Sequence, residues 1–285
     1  MSDLDARHER LRASLREMQR VVIAYSGGVD STLLLRVAVE VLGERAVGLC
    51  ALSPSFAPWE LEDARREAAA MGARVIEIES REYERDGYRQ NAGDRCYHCK
   101  SELFDLAALE ATAQDLGQLC YGAIPEDLGD HRPGMRAAAE HGVRAPLIEA
   151  GLSKVDIRAL SRRYGLGTAD KPAAACLSSR FPYGTEVTPE RLSQVARCEA
   201  ALRNLGLLEL RARFHGDLVR LELGSSELSR VFAEASLRDC VTEACRAAGF
   251  KFVSVDLDGY RSGSANAGLV QIHDASRPFR PNLTT

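Results

Sequence analysis

Ser26-Gly27-Gly28-Val29-Asp30-Ser31 is the segment of this chain best equipped for chemistry. Two glycines without Cβ atoms let the backbone come close to phosphate oxygens. A helix beginning near Asp30 aims its free N–H groups, and the positive end of its dipole, at the same place. Ser26, Ser31 and Thr32 add hydroxyl donors, and Asp30 is placed to hold Mg2+, directly or through water. The segment is not a Walker A loop, which would end in Gly-Lys-Ser or Gly-Lys-Thr. Its position at the first strand-to-helix junction makes an ATP phosphate site the expected reading, ahead of an ordinary glycine turn.

Asp94-Arg95-Cys96-Tyr97-His98-Cys99-Lys100 is the second such segment. Two cysteines three apart, at a turn before a helix, have a metal or redox spacing. They are too few for a closed site, and the chain has no second pair of this kind. Cys176 is the expected third ligand. It lies in a polar stretch, and Arg180 nearby favours its thiolate. Three thiolates suit an iron–sulfur cluster with one iron left open, which can carry a sulfide for delivery. A zinc site completed by His98 is the alternative, although closed tetrahedral zinc would be structural. Cys50, Cys120, Cys198, Cys240 and Cys245 read as packing residues.

Elements must position these groups. The chain's 285 residues suggest two domains. Strands at 20–25, 46–52, 74–78 and 118–122 alternate with helices at 30–42, 58–71 and 100–116. That alternation predicts an α/β fold, a doubly wound parallel sheet covered on both faces. After a loop at 125–136 and a helix at 154–164, residues 168–184 mix Pro, Ala, Ser and Cys and read as a hinge. Beyond it the rhythm changes. A helix at 188–205 precedes strands at 208–214 and 218–223, which turn at His215-Gly216-Asp217. A helical stretch at 226–248 and a strand at 250–257 complete a second, smaller α+β domain. The expected boundaries are 1–172 for the ATP-binding domain and 173–285 for a substrate-binding and oligomerisation domain. A net charge of −4 argues against a dedicated nucleic-acid binder. No apolar run approaches the ~20 residues of a spanning helix, and the charged start, amphipathic over residues 1–19, has no signal-peptide core. The expectation is a cytoplasmic protein that binds neither nucleic acid nor membrane.

The loop at 26–31 resembles the PP-loop class, in which ATP is cut between its α and β phosphates. Further segments occur in family order: 94–100, 127–134, 145–147, 175–184, 211–213 and 258–264. Together they resemble the family of ATP-dependent pyridinium-3,5-biscarboxylate mononucleotide sulfur transferases over nearly the whole chain. The resemblance implies that each carboxylate of a pyridinium mononucleotide is adenylated and converted to a thiocarboxylate, toward the nickel-pincer nucleotide of lactate racemase. It implies ATP, Mg2+, a sulfide donor and a homo-oligomer. It also implies one of two sulfur sources. Either a cysteine at the position of Cys176 is sacrificed, or cysteines matching Cys96, Cys99 and Cys176 hold a 4Fe-4S cluster. This chain has all three. Cys176, Asp30 and Arg180 are then the expected catalytic residues. Arg211 and Arg213, two apart on a strand, would grip the substrate's phosphate, with Arg261 as a further cation. Glu222 and Asp256 would pair with these arginines or bind a metal, and Trp59 and Tyr97 would line pockets or cover the core. The main rival is a tRNA thiolase of the same superfamily, disfavoured by the acidic balance and the lack of a Lys/Arg run. Ammonia-using PP-loop enzymes would not need the cysteines at 94–100, and a nucleotide-binding or metal-storage module would not consume ATP.

Overall fold

Four short apolar runs become four parallel strands. The computed structural model describes residues 2–129, 133–172 and 175–261. Its first half runs α1 (Asp3–Met18), β1 (Val21–Ala24), α2 (Val29–Leu42), β2 (Ala46–Leu52), α3 (Pro58–Ala70), β3 (Arg74–Glu79), α4 (Asp86–Arg89), α5 (Arg95–Ala113), β4 (Gln118–Tyr121), α6 (Pro133–Glu140), α7 (Pro146–Ala150) and α8 (Lys154–Arg163). The strand order is β3-β2-β1-β4, parallel throughout. Central β1 is buried along its whole length, as a strand covered on both faces must be. Val21 and Ile23 face a core built with α1, α2, α3, α7 and α8, whereas Val22 and Ala24 face a second layer with Phe104 and Ala107 of α5 and Ala137 and Ala138 of α6. This is the doubly wound α/β arrangement expected.

The strand order has a consequence for function. β2 and β3 are laid down on one side of β1, and β4 on the other. The chain therefore reverses direction between β1 and β4, and the crevice beyond their carboxyl ends is where such sheets bind ligands.

The second half contains α9 (Pro189–Asn204), β5 (Leu210–His215), β6 (Leu218–Leu223), α10 (Ser225–Ala233), α11 (Ala235–Ala247) and β7 (Phe252–Val255). β5 and β6 form the expected hairpin, and β7 joins β6 in parallel. The single helical stretch expected at 226–248 is two helices, broken at Glu234, whose backbone is extended. A straight helix of that length would run roughly 34 Å. The break instead lets Val231 and the Val241–Cys245 face turn into one core. That core also takes in Ala57 and Tyr88 from the first half of the chain, so the two halves are packed together rather than merely tethered.

Candidate active site

The glycine loop lies in the crevice between β1 and β4. Gly27 has φ 66°, and a Cβ there would sit 2.5 Å from the Cβ of Ala64 on α3. Gly28 caps α2 with extended backbone and no side-chain bond, which leaves the first amides of the helix for an anion. Ser31 Oγ accepts from the Ser26 amide (3.3 Å), lies 3.2 Å from Ser26 Oγ and donates to the Gly28 carbonyl (3.2 Å). Gly122, just past β4, closes the far wall: a Cβ there would be 2.9 Å from the Ser31 nitrogen. Thr32 departs from expectation. It is fully buried, its amide bonds the Gly28 carbonyl (2.9 Å) and its hydroxyl faces Tyr25, whose own pKa burial pushes up to about 12. Its side chain serves the core rather than the loop.

The loop gives a direct test. Gly27→Ala is expected to cost about 1–2 kcal/mol from left-handed backbone alone, with the overlap at Ala64 added. Affinity for a non-hydrolysable ATP analogue, read by calorimetry, should fall at least ~10-fold. Gly28→Ala meets only Ser26 Oγ at 3.4 Å and should be much milder.

Asp30 is in the first turn of α2. Both its oxygens lie 2.7 Å from Lys154 Nζ. Burial raises the Asp30 pKa, Lys154 opposes that, and Asp127 raises it further. Lys154 opens α8 behind a capping box made by Ser153 and Asp156, and its amide donates to Glu126 (2.8 Å). Sequence reasoning missed this residue, which is 124 positions from its partner.

Cys96 and Cys99 were expected in a turn, but they lie in α5, which starts at Arg95, as its second and fifth residues. Buried Arg95 anchors that start by donating to Asn91 Oδ1 and to the Ser178 carbonyl (2.8 Å). A separation of three then puts both thiols on one helix face. Cys176 reaches them from the hinge segment, which is sewn down at several points. The Leu177 amide donates to the Ser55 carbonyl (2.8 Å) and the Gly184 amide to that of Asn91 (3.1 Å). Asn91 Nδ2 donates to the Pro182 carbonyl (2.8 Å), and Tyr88 and Ser178 share a hydrogen bond between hydroxyls. Cys176 is exposed, and its charge acts on both other thiols. Burial, then Glu82 and Cys176, push the Cys99 thiol up to about 12. Cys96 reaches solvent but is crowded, and burial followed by Cys176 raises its pKa. Burial opposes the Arg95 charge, and Cys176 and Cys96 favour it.

Three neighbouring thiols beside a guanidinium fit the donor chemistry of a cluster with an open iron. Among the described residues no three Cys, His, Asp or Glu donors converge tightly enough to hold a metal in this conformation. His98 is turned elsewhere. Its Nε2 lies 3.3 Å from Asp94 Oδ2, and the ring packs on Gly87.

Arg180 does a different job from the one expected. It is 3% exposed and forks onto fully buried Glu199 through Nε and Nη2, both at 2.9 Å. Nη1 donates to the carbonyls of Ala175 (2.7 Å) and Cys176 (3.1 Å) and to Ser179 Oγ. Each nitrogen is thus used by the protein, and Arg180 positions the Cys176 loop. Glu199 also accepts from the Ala212 amide (2.9 Å), tying the loop to β5. On β5, Arg213 donates to the Ser179 carbonyl (2.8 Å) and pairs with Glu222 (2.7 Å). Glu222 also takes Arg220 (3.1 Å), which holds Asp256. Both acids of uncertain role at the sequence level are therefore partners of arginine. Arg211 has no carboxylate within ion-pair distance among the described residues. It stacks over Tyr260 (4.8 Å), and burial, then Arg180, lower its pKa. Such a cation invites an anion. Arg261 pairs with Asp258 at the surface (2.9 Å). Trp59 packs against the second core beneath Arg203, and Tyr97 carries Arg136 over its ring and donates to Glu140. Asp130, His131, Arg132 and 262–264 of the family segments lie outside the described residues.

The parallel sheet with a glycine loop at its reversal point, taken with the relatives that follow, makes the chain a PP-loop enzyme of the sulfur-transferring kind. No family model matches the chain. It is 37% identical to the pyridinium-3,5-bisthiocarboxylic acid mononucleotide synthase of Lactiplantibacillus plantarum, over 95% of this chain and 98% of that protein. It is 43% identical to an uncharacterised protein of Synechocystis, over 94% of this chain and 100% of the other. A tRNA-specific 2-thiouridylase of Caulobacter vibrioides is 30% identical over 57% of this chain and 53% of its own length. The chain belongs to the family of the pyridinium-3,5-bisthiocarboxylic acid mononucleotide synthase.

Proposed function

We propose that this chain adenylates the carboxylates of pyridinium-3,5-biscarboxylate mononucleotide and converts them to thiocarboxylates. A substrate carboxylate oxygen attacks the α phosphorus of ATP, and pyrophosphate leaves from the loop at 26–31. A sulfide then attacks the acyl carbon, and AMP leaves. Ser26, Gly27, Gly28 and Ser31 hold the departing phosphates, and Asp30 takes Mg2+. Arg211 receives the substrate's phosphate, and Arg213, paired with Glu222, adds its charge from the same strand face. Family membership supports the reaction. The observation that supports the site is that Cys96 and Cys99 share one face of α5 and that Cys176 lies near enough to act electrostatically on both.

Cys96, Cys99 and Cys176 would hold a 4Fe-4S cluster, which supplies an iron without a protein ligand where sulfide is presented. The chain's own part is to hold three thiols around that opening and to fix the Cys176 backbone through Arg180. A second reading takes the sulfur from Cys176 itself. Its exposure leaves that sulfur accessible to a substrate.

Anaerobic iron and acid-labile sulfide analysis separates the two. The cluster reading expects about four irons and four sulfides per chain, lost in each of Cys96→Ala, Cys99→Ala and Cys176→Ala. A carefully reconstituted wild type without iron would overturn it and leave Cys176 as the donor.

A further inference from the structure

The glycine loop has no cation of its own. A Walker A loop carries a lysine for the triphosphate, but residues 26–32 contain neither Lys nor Arg. The structure brings one from α8. Lys154 Nζ lies 2.7 Å from both oxygens of Asp30, next to the loop. Its backbone is fixed on two sides, by Glu126 on its amide and by the Ser153–Asp156 capping box. Its side chain is about a third exposed, as is that of Asp30 to a lesser degree (32% and 25%). A rooted backbone with an accessible ammonium is suited to exchanging partners. The residue type fits as well. The chain has 37 basic residues, of which four are lysines, and an ammonium is a point charge on a flexible stem, whereas a guanidinium is a planar fork made to stay on one carboxylate.

We infer that Lys154 is a nucleotide-binding residue that is parked on Asp30 in the free enzyme and moves to the β and γ phosphates of ATP when Asp30 takes Mg2+. The inference rests on the ATP reading above. The exchange keeps charge balanced. In the free enzyme Lys154 neutralises a partly buried carboxylate. When Mg2+ replaces it there, the released ammonium meets the phosphate charge that the loop's neutral donors bind without a counter-ion. Arg158 is the other cation that acts on Asp30, and it is already spent on the carbonyls of Ala169 (2.6 Å) and Lys171 (3.0 Å).

The test is binding, read by calorimetry, of α,β-methylene-ATP and of AMP to the full chain, with and without Mg2+. Wild type, Lys154→Ala and Lys154→Arg are compared. Lys154→Ala is expected to weaken the triphosphate analogue roughly 10- to 100-fold in the presence of Mg2+ and to leave AMP unchanged, with Lys154→Arg recovering part of the loss. Equal affinity of wild type and Lys154→Ala for the Mg2+ complex would overturn the inference, because Lys154 would then serve only to neutralise Asp30, which the metal does as well. A parallel loss of AMP binding would also overturn it, by showing that α8 had moved. Failure of the wild type itself to bind the analogue would instead sink the ATP reading.

Discussion

Glu199→Ala is expected to lower the melting temperature by on the order of 10 °C and to abolish thiocarboxylate formation. The carboxylate is fully buried and satisfies three donors: two nitrogens of Arg180 and the Ala212 amide. Its removal leaves a guanidinium in the interior without a counter-charge. Breaking a buried pair in this way costs about 3–5 kcal/mol, and an orphaned amide adds about 1–3 kcal/mol. Against a total stability of about 5–15 kcal/mol, that is a large fraction. A second variant separates stability from positioning. Replacing both partners with apolar residues, Arg180→Met with Glu199→Leu, removes the buried charges together and should recover much of the lost stability. It cannot restore the donor that Arg180 gives to the carbonyls of Ala175 and Cys176. The double variant should therefore fold, bind ATP and form the acyl adenylate with release of pyrophosphate, yet fail to transfer sulfur. Full sulfur transfer in the double variant would show that the pair does nothing beyond holding the second core together.

Glu199 was legible in principle. Leu192, Val195 and Leu202 mark the apolar stripe of α9, and Glu199 falls on it, seven residues after Leu192. A charge on an apolar stripe asks for a partner. The sequence does not say which of 33 arginines supplies it, because the pairing depends on how the hinge folds back over β5. Lys154 is a sharper case. The glycine loop's lack of a cation is visible in the sequence, but the answer lies on the far side of a crossover and is fixed by strand order. The local elements were readable because their signals are local: the two glycines after β1, Pro58 at the start of α3 and the His215-Gly216-Asp217 turn between β5 and β6. The start of α5 misled because Gly93-Asp94 looks like a turn, while the deciding contact, Arg95 to the Ser178 carbonyl, spans 83 residues. The break at Glu234 brings Val231, Val241 and Cys245 into one core, a demand set by tertiary packing rather than by the local sequence. Chemistry-bearing residue types were thus easier to find than the residues that hold them in place.

Cys176→Ala is expected to separate the two half-reactions. The side chain is exposed, so its loss should change stability little. The phosphate loop, Asp30 and Lys154 are untouched, and ATP with the pyridinium substrate should still give AMP-linked intermediate and pyrophosphate at close to the wild-type initial rate. Thiocarboxylate should fall by at least about 1000-fold, the scale on which enzymes lose activity when a residue at the centre of the reaction is removed. Either sulfur source predicts this, so the comparison with Cys96→Ala decides between them. Burial first, and then Cys176, raise the Cys96 pKa, so the two thiols are near neighbours. If three thiols act as one unit, Cys96→Ala loses thiocarboxylate as completely as Cys176→Ala does, and wild-type Cys176 keeps its mass after turnover. If Cys176 gives up its own sulfur, Cys96→Ala still completes one turnover, and intact mass then shows dehydroalanine at position 176. Loss of pyrophosphate formation in Cys176→Ala would contradict both, since it would place this cysteine in the adenylation step, where neither source of sulfur needs it.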